Sequence, residues 1–266
     1  MPFEEKRHPM DINFECTMCG KCCHDLKLPL SVDEAVIWLE RGGNVQFLCE
    51  AVPWPDEPPA DNLQAQHKRR RSFAASSGEL PVRVVVVLAA SFEGACPHLQ
   101  ANLSCGVYEQ RPTVCRIYPA EINPFIELKP EQKECPPEAW GSDKPLLMSA
   151  HRVVDPETFA LIAKSRAADV SDAPAKARAC ADLAIDAAAL ANEGLVVYSP
   201  PVDLAIAALK RARENRDADD EVVHWKVVSN RRETVDTLTS IGAMGVHYVK
   251  ADAPAFDYLG FFPASA

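Results

Sequence analysis

The feature that most constrains this chain is a run of four cysteines within eight residues, Cys16, Cys19, Cys22 and Cys23, in "CTMCGKCC". Two residues between cysteines allow a tight turn to direct successive sulfurs toward one point, which is why this spacing occurs in zinc knuckles and iron–sulfur loops. Gly20 lies inside the run, where a glycine relieves the backbone of such a turn. The spacing therefore predicts thiolate ligation of a metal.

A second group of cysteines follows, separated from the first by a long segment. Its members are Cys96, Cys105, Cys115 and Cys135. Together the two groups allow two four-thiolate sites or one multinuclear centre. Because Cys22 and Cys23 are adjacent, their side chains point in different directions, so either they serve different sites or one of them is an exchangeable ligand. The sequence leaves these alternatives open.

Whether the cysteines bind a metal or form disulfides depends on the redox state of the cellular compartment. Residues 1–14 are polar and have no apolar core of the kind found in a signal peptide, so we expect a cytoplasmic, reducing location. The longest apolar stretch, residues 84–92, is too short to span a bilayer, and no membrane partner is expected. The net charge of -10 disfavours a nucleic-acid partner, because phosphate contacts need clustered Lys and Arg. Ten cysteines in such a chain indicate metal or redox chemistry.

The type of ligand narrows the choice of metal. Thiolates are soft ligands that select zinc, copper(I) or iron–sulfur clusters over magnesium and calcium. Three ligands from one loop, with a fourth from elsewhere, are typical of bacterial ferredoxins, whereas structural zinc more often uses two pairs. The spacing thus favours an iron–sulfur cluster over zinc, with both open. Lys21, Arg111 and Arg116 lie beside cysteines and could offset the negative charge of a thiolate site.

Four further side chains could compete for these roles. His24 and His98 lie beside the cysteine groups and could act as ligands, or as bases for a nucleophilic cysteine, but a histidine beside a cluster more often lies outside the ligand shell. Cys49 and Cys180 have no partner at ligand spacing, so we expect both to be buried as small apolar side chains.

The stretch "FECTMCGKCC", followed later by "CPHL…CGVYEQRPTVCRIYP", resembles the YkgJ-type cysteine-cluster family of zinc- or iron-chelating domains, to which flagellin lysine N-methylases are also similar. The resemblance spans about residues 12–137. It implies metal ligation by the eight cysteines of the two groups, namely Cys16, Cys19, Cys22, Cys23, Cys96, Cys105, Cys115 and Cys135. The segment from Arg111 to Pro119 also fits the family element RP-x-x-CR-x-[FY]-P.

Outside the cysteine groups, helices alternate with short strands, and we expect an α+β protein. A small cysteine-rich metal-binding unit at residues 1–145 would be followed by a mixed helix and strand module of unknown role at residues 146–266. Residues 50–80, rich in proline and polar side chains, predict a long loop. The predicted helices are 31–43, 155–170, 172–194, 202–215 and 230–242, and the predicted strands are 81–92, 195–198, 221–228 and 246–250. Ser31 and Glu34 predict a capping box for the first helix, and Asp172 predicts a cap for the third.

Three functions are compatible with this organisation. The favoured one is a metal-binding protein that chelates zinc or iron, or an iron–sulfur cluster, while its C-terminal module meets an unidentified protein partner. The alternatives are a metal-dependent protein-modifying enzyme similar to lysine N-methylases, and an iron–sulfur electron-transfer protein. Gly242 and Gly245 follow a predicted helix instead of opening one, so they do not form a nucleotide-binding loop of the usual kind. This disfavours the enzyme.

Overall fold

The structure, a computed structural model, describes residues 11–215, 224–250 and 255–264. Helices and mixed β-sheets occur together in these residues, which confirms the predicted α+β class. The helices are α1 (Val32–Glu40), α2 (Leu63–Arg70), α3 (Thr113–Ile117), α4 (Pro156–Ser171), α5 (Ala173–Asp182), α6 (Val202–Glu214) and α7 (Arg232–Ser240). The strands are β1 (Ile12–Asn13), β2 (Lys27–Leu30), β3 (Val45–Pro53), β4 (Phe73–Ser77), β5 (Leu80–Ser91), β6 (Leu146–Ser149), β7 (Arg152–Val153), β8 (Ala187–Leu190), β9 (Gly194–Tyr198), β10 (Lys226–Ser229), β11 (Gly245–His247) and β12 (Asp257–Gly260).

The backbone divides into two compact units, each made of two segments of the chain. Unit 1 contains the described residues up to Leu28, together with Phe92–Ala167. Unit 2 contains Pro29–Ser91 and the described residues from Ala168 onward. The boundary predicted near residue 145 divides the chain by cysteine content and not by backbone contacts, and it stays a prediction.

Unit 1 has little regular structure and a small core. Its sheet has the antiparallel order β1-β6-β7, with Ile12 opposite Met148 and Met148 opposite Val153. Leu128, Leu147 and Met148 form one apolar cluster, against which Phe14 and Trp140 pack with their ring centroids 4.9 Å apart. A second cluster contains Ile117, Ala120 and Ile162. These clusters anchor the chain just before the first cysteines and just after Cys115.

Unit 2 is built around a large sheet with the strand order β11-β10-β8-β3-β5-β2. Its centre is the antiparallel pair β3–β5, which is in register from Val45 opposite Ala90 to Pro53 opposite Val82. The β-branched run of β5 is buried on both faces for most of its length, as expected of a central strand. The strands β8, β10 and β11 pair in parallel, and β8 also pairs in parallel with β3.

Capping interactions fix the helices of unit 2. Ser31 forms the predicted capping box, since its hydroxyl accepts from the Glu34 N–H at 3.3 Å and the Glu34 carboxylate accepts from the Ser31 N–H at 3.0 Å. The Asp172 carboxylate accepts from the Val32 N–H at 2.8 Å, so this side chain caps the first turn of α1. The sequence predicts it instead as the cap of its own helix, α5.

Two predicted elements are wrong. Residues 50–80 are not a long loop, because β3 continues to Pro53 and both α2 and β4 follow, with β4 paired along β5. The helix predicted over 172–194 ends at Asp182, and the alanine-rich residues 187–190 form β8 between β3 and β10. Sheet pairing there overrides the helix propensity of alanine. The strand predicted at 221–228 appears as β10, while residues 221–223 lie outside the described residues.

Among the helices in the described parts of the chain, none combines the length and the apolar character needed to cross a membrane.

Replacing Ser31 by alanine should lower the free energy of unfolding of unit 2 by about 1 kcal/mol, because the first turn of α1 loses its side-chain acceptor. Thr237→Ala is the matched control. The Thr237 hydroxyl donates to the Glu233 carbonyl inside α7, so its loss should change stability by much less. Urea unfolding followed by far-ultraviolet circular dichroism measures both. Equal stability of Ser31→Ala and the wild type would contradict the cap.

Candidate metal centre

The eight candidate cysteines all lie in unit 1, on four segments of the chain. The first loop, residues 16–23, carries four of them, and the second loop, residues 96–105, carries two. Cys115 lies within α3, and Cys135 directly precedes the turn at Pro137–Trp140. All eight are free thiols, and Cys16 is the exposed one among them.

The first and second loops are held together by their backbones. The Cys96 N–H donates to the Cys23 carbonyl at 2.8 Å, and His24 and Ala95 form an antiparallel bridge. Gly20, at φ +69°, lies so close to the second loop that a Cβ there would be 3.1 Å from the Leu103 carbonyl oxygen. A glycine at this position thus allows both the left-handed backbone conformation and the close approach of the two loops.

Four thiols form what we call the first thiol group, namely Cys16, Cys19, Cys22 and Cys135. Burial raises the pKa of Cys22, and the negative charges of the thiolates of Cys135, Cys16 and Cys19 raise this pKa further. Burial likewise raises the pKa of Cys135, with Cys16 and Cys19 adding to the shift. These mutual effects show that Cys135, distant in sequence, lies close to the C-x2-C-x2-C run.

The remaining four thiols form the second thiol group, namely Cys23, Cys96, Cys105 and Cys115. Burial raises the pKa of Cys23 to about 12, with contributions from the neighbouring Cys22 and from Cys96 and Cys105. The pKa of Cys115 is also raised to about 12 by burial, with Cys23, Cys96 and, from the first group, Cys22 adding to it. The side chains of Cys22 and Cys23 hydrogen-bond to each other, so the two groups adjoin at this dipeptide.

Residues 15–136 match the CxxCxxCC family model, which is described as "Putative zinc- or iron-chelating domain". Over these residues the chain is similar to that family, and we refer to them as the CxxCxxCC domain. All eight candidate cysteines lie inside it, and the match confirms the resemblance to the YkgJ-type cysteine-cluster family. No curated protein and no solved structure gives a significant match to the chain.

The donor set of the CxxCxxCC domain fits zinc or iron, because both metals accept thiolate ligands. Among the described residues, no three His, Cys, Asp or Glu side chains are already arranged to hold an ion. Binding of a metal would require the side chains within each thiol group to turn toward a common centre. The raised pKa values mean that the metal must also displace protons from these sulfurs.

Backbone and cationic groups around the CxxCxxCC cysteines favour thiolates. The N–H groups of His98 and Leu99 donate to the Cys96 sulfur, which lowers the pKa of Cys96 against the larger effect of burial. The Arg111 guanidinium stacks 3.8 Å from the centre of the Tyr108 ring and lowers the pKa of Cys115 against burial. The Arg111 Nε is buried and, within the described part of the chain, has no hydrogen-bond partner, as suits a donor to a thiolate.

The other predicted neighbours differ in role. Arg116 pairs with Glu157 at 2.8 Å, so its charge is partly committed elsewhere. The His24 Nδ1 is 3.2 Å from the Gly20 carbonyl oxygen, which ties this ring to the turn of the first loop.

Two neighbours of Cys135 are not singled out by sequence reasoning. Lys133 lowers the pKa of Cys135, and the Tyr118 hydroxyl hydrogen-bonds to its sulfur. The position of Lys133, two residues before Cys135, is the signal that could have identified it. For Tyr118, the corresponding signal is its place in the element with Arg111 and Pro119.

Cys49 and Cys180 lie in unit 2, and both side chains are fully buried, which confirms the expectation of core packing. Burial raises the pKa of Cys49 well above its usual value, with the adjacent Cys180 thiol adding to the shift. These two residues are therefore separate from the CxxCxxCC ligands.

Gly20→Ala should weaken metal retention by the CxxCxxCC domain, because the new methyl group would push the second loop away from the first. Gly94→Ala is the matched control, since Gly94 has φ +71° and nothing lies within 4 Å of the position of its Cβ. Both variants carry the backbone strain of about 1 kcal/mol, and only Gly20→Ala carries the clash. Metal retained per chain during titration with a chelator measures the difference. Equal retention by the two variants would contradict the close contact of the loops.

Proposed function

We propose that this chain binds zinc or iron at two adjacent thiolate centres, and that the metal stabilises the fold of unit 1. The first centre takes Cys16, Cys19, Cys22 and Cys135, and the second takes Cys23, Cys96, Cys105 and Cys115. The proposal is carried by the mutual effects of the eight thiols on their pKa values, which fall mostly within these two sets of four, and by the backbone bond between Cys96 and Cys23. Cys22 links the two sets, because it also raises the pKa values of Cys23 and Cys115. Four ligands satisfy the coordination of a structural zinc ion, and also that of an iron–sulfur cluster.

Charge supports two separate centres. Four thiolates around a divalent ion leave an excess of negative charge, and buried charge is costly unless it is compensated. Arg111 acts on the second group, through Cys115, and Lys133 acts on the first, through Cys135. Each group thus has a cationic side chain near it, although Lys133 shares its charge with Glu121, with which it forms an ion pair.

The expected contribution of the metal is to folding. Unit 1 has small apolar clusters and long irregular segments, so its own core contributes little stability. Thiolate coordination joins residues 16–23 to residues that are distant in sequence, and its binding free energy therefore adds directly to folding free energy.

Iron–sulfur electron transfer is a second candidate function, favoured by the C-x2-C-x2-C run of the first group and by its exposed member, Cys16. Exposure of one ligand would place a redox centre near the surface. The methylase-like alternative and the protein partner of the C-terminal module stay predictions. Binding of labelled S-adenosylmethionine to the metal-loaded chain would test the former.

Metal content of cysteine variants tests the two-centre proposal. We expect Cys19→Ser and Cys105→Ser each to remove about half of the bound metal, because each removes one ligand from a different group of four. Cys180→Ser is the control and should leave the metal content unchanged, since Cys180 is buried in unit 2. Elemental analysis of chains purified without oxygen gives the result. Loss of all metal in both ligand variants would instead indicate one multinuclear centre, and a wild-type chain without metal would refute the function.

The identity of the metal is tested on the same wild-type sample. From the spacing of the first loop we expect iron with acid-labile sulfide, and visible absorption that dithionite partly bleaches. A colourless chain that holds zinc would contradict the iron–sulfur assignment and the electron-transfer candidate, while leaving metal chelation intact.

A further inference from the structure

Cys135 is the member of the first thiol group whose position is hardest to explain. Its three partners, Cys16, Cys19 and Cys22, come from one short loop, whereas Cys135 arrives from an irregular segment far along the chain. No helix or strand carries it, because it lies between the turns at Pro130–Gln132 and Pro137–Trp140. A ligand on such a segment needs a specific contact to hold its sulfur toward the others.

Tyr118 lies against Cys135 and its neighbour. The backbone N–H of Glu134 donates to the Tyr118 hydroxyl oxygen at 3.1 Å. Since that oxygen accepts a hydrogen bond from the backbone, its own hydrogen is available for a second bond, and the side chains of Tyr118 and Cys135 are hydrogen-bonded. One hydroxyl thus contacts both the backbone of the segment and the sulfur of the candidate ligand.

The base of the Tyr118 side chain is fixed to the fold. The Tyr118 N–H donates to the Val114 carbonyl at 3.0 Å and closes the C-terminal end of α3. The preceding residue, Ile117, is almost fully buried in an apolar cluster of unit 1. The ammonium group of Lys133 lies 5.4 Å from the centre of the tyrosine ring. The hydroxyl is therefore presented from a defined position.

The same short helix carries a ligand of the other group. Cys115 lies in α3, three residues before Tyr118, and belongs to the second thiol group. Tyr118 therefore connects an element of the second group to the remote ligand of the first.

We propose that Tyr118 is a positioning residue of the first centre, whose hydroxyl donates a hydrogen bond to the Cys135 sulfur and orients this ligand toward the metal. The inference rests on the proposed function, because it assumes that the first thiol group binds a metal. Hydrogen bonds from such outer residues orient metal ligands, and their loss commonly lowers metal affinity about tenfold to a hundredfold.

The test uses the reduced, metal-free full chain, titrated with Co²⁺ and followed by thiolate-to-metal charge-transfer absorption. Cys105→Ser isolates the first group and Cys19→Ser isolates the second. Adding Tyr118→Phe keeps the ring and removes only the hydroxyl. We expect this change to weaken Co²⁺ binding about tenfold or more in the Cys105→Ser background, and to leave binding unchanged in the Cys19→Ser background.

Tyr108→Phe is the matched control in the Cys105→Ser background, because the Tyr108 ring stacks under Arg111 and the substitution keeps that ring. It should leave Co²⁺ binding unchanged. Equal affinity with and without the Tyr118 hydroxyl in the Cys105→Ser background would overturn the inference, and so would an equal loss in both backgrounds, which would indicate general destabilisation. If neither single cysteine variant bound Co²⁺, the two-centre proposal itself would fail, and the inference with it.

Discussion

The fold of unit 1 depends on the mutual approach of eight thiols in a segment with little other core. Thiols in this arrangement resist ionisation, because burial and neighbouring negative charge both raise their pKa values. A divalent cation reverses this balance, since it stabilises the thiolates that repel one another without it. Arg111 and Lys133 are too few to do so alone. Under the proposed function, metal binding and the folding of this unit form one equilibrium.

Unit 2, in contrast, has an extensive apolar core. Its sheet is centred on β3 and β5, and side chains such as Phe47, Val84 and Leu88 are completely buried there. Cys49 and Cys180 contribute to this core as small apolar groups. Burial raises the pKa of Cys49, so its thiol stays protonated there. Such a core supplies hydrophobic stabilisation without any metal. The chain thus combines a unit stabilised by apolar burial with one that, under the proposed function, is stabilised by metal coordination.

The sequence predicted elements well where local chemistry determines the structure. The capping box at Ser31 and the β-branched run of β5 depend on neighbouring residues, and both form as expected. Residues 187–190 could not be predicted in the same way, because their strand is selected by pairing with β3 and β10 against the helix preference of alanine. Spacing likewise identified the candidate ligands. Their division into groups and the contact of Tyr118 with Cys135 depend on tertiary structure, which spacing alone does not encode.

The two thiol groups differ in what they demand of the chain. The first takes three sulfurs from a single turn, so most of its ligands are brought together locally. The second joins Cys23 to Cys96, Cys105 and Cys115, and therefore closes a long segment that includes the central strands of unit 2. Loop closure of that length costs entropy, which the Cys96–Cys23 backbone bond and coordination must offset. If both proposed centres form, the second therefore contributes more to organising the fold, and the first, with exposed Cys16, is the more accessible to exchange or electron transfer. Because Cys22 and Cys23 are neighbours, a single peptide bond would then join a ligand of one centre to a ligand of the other.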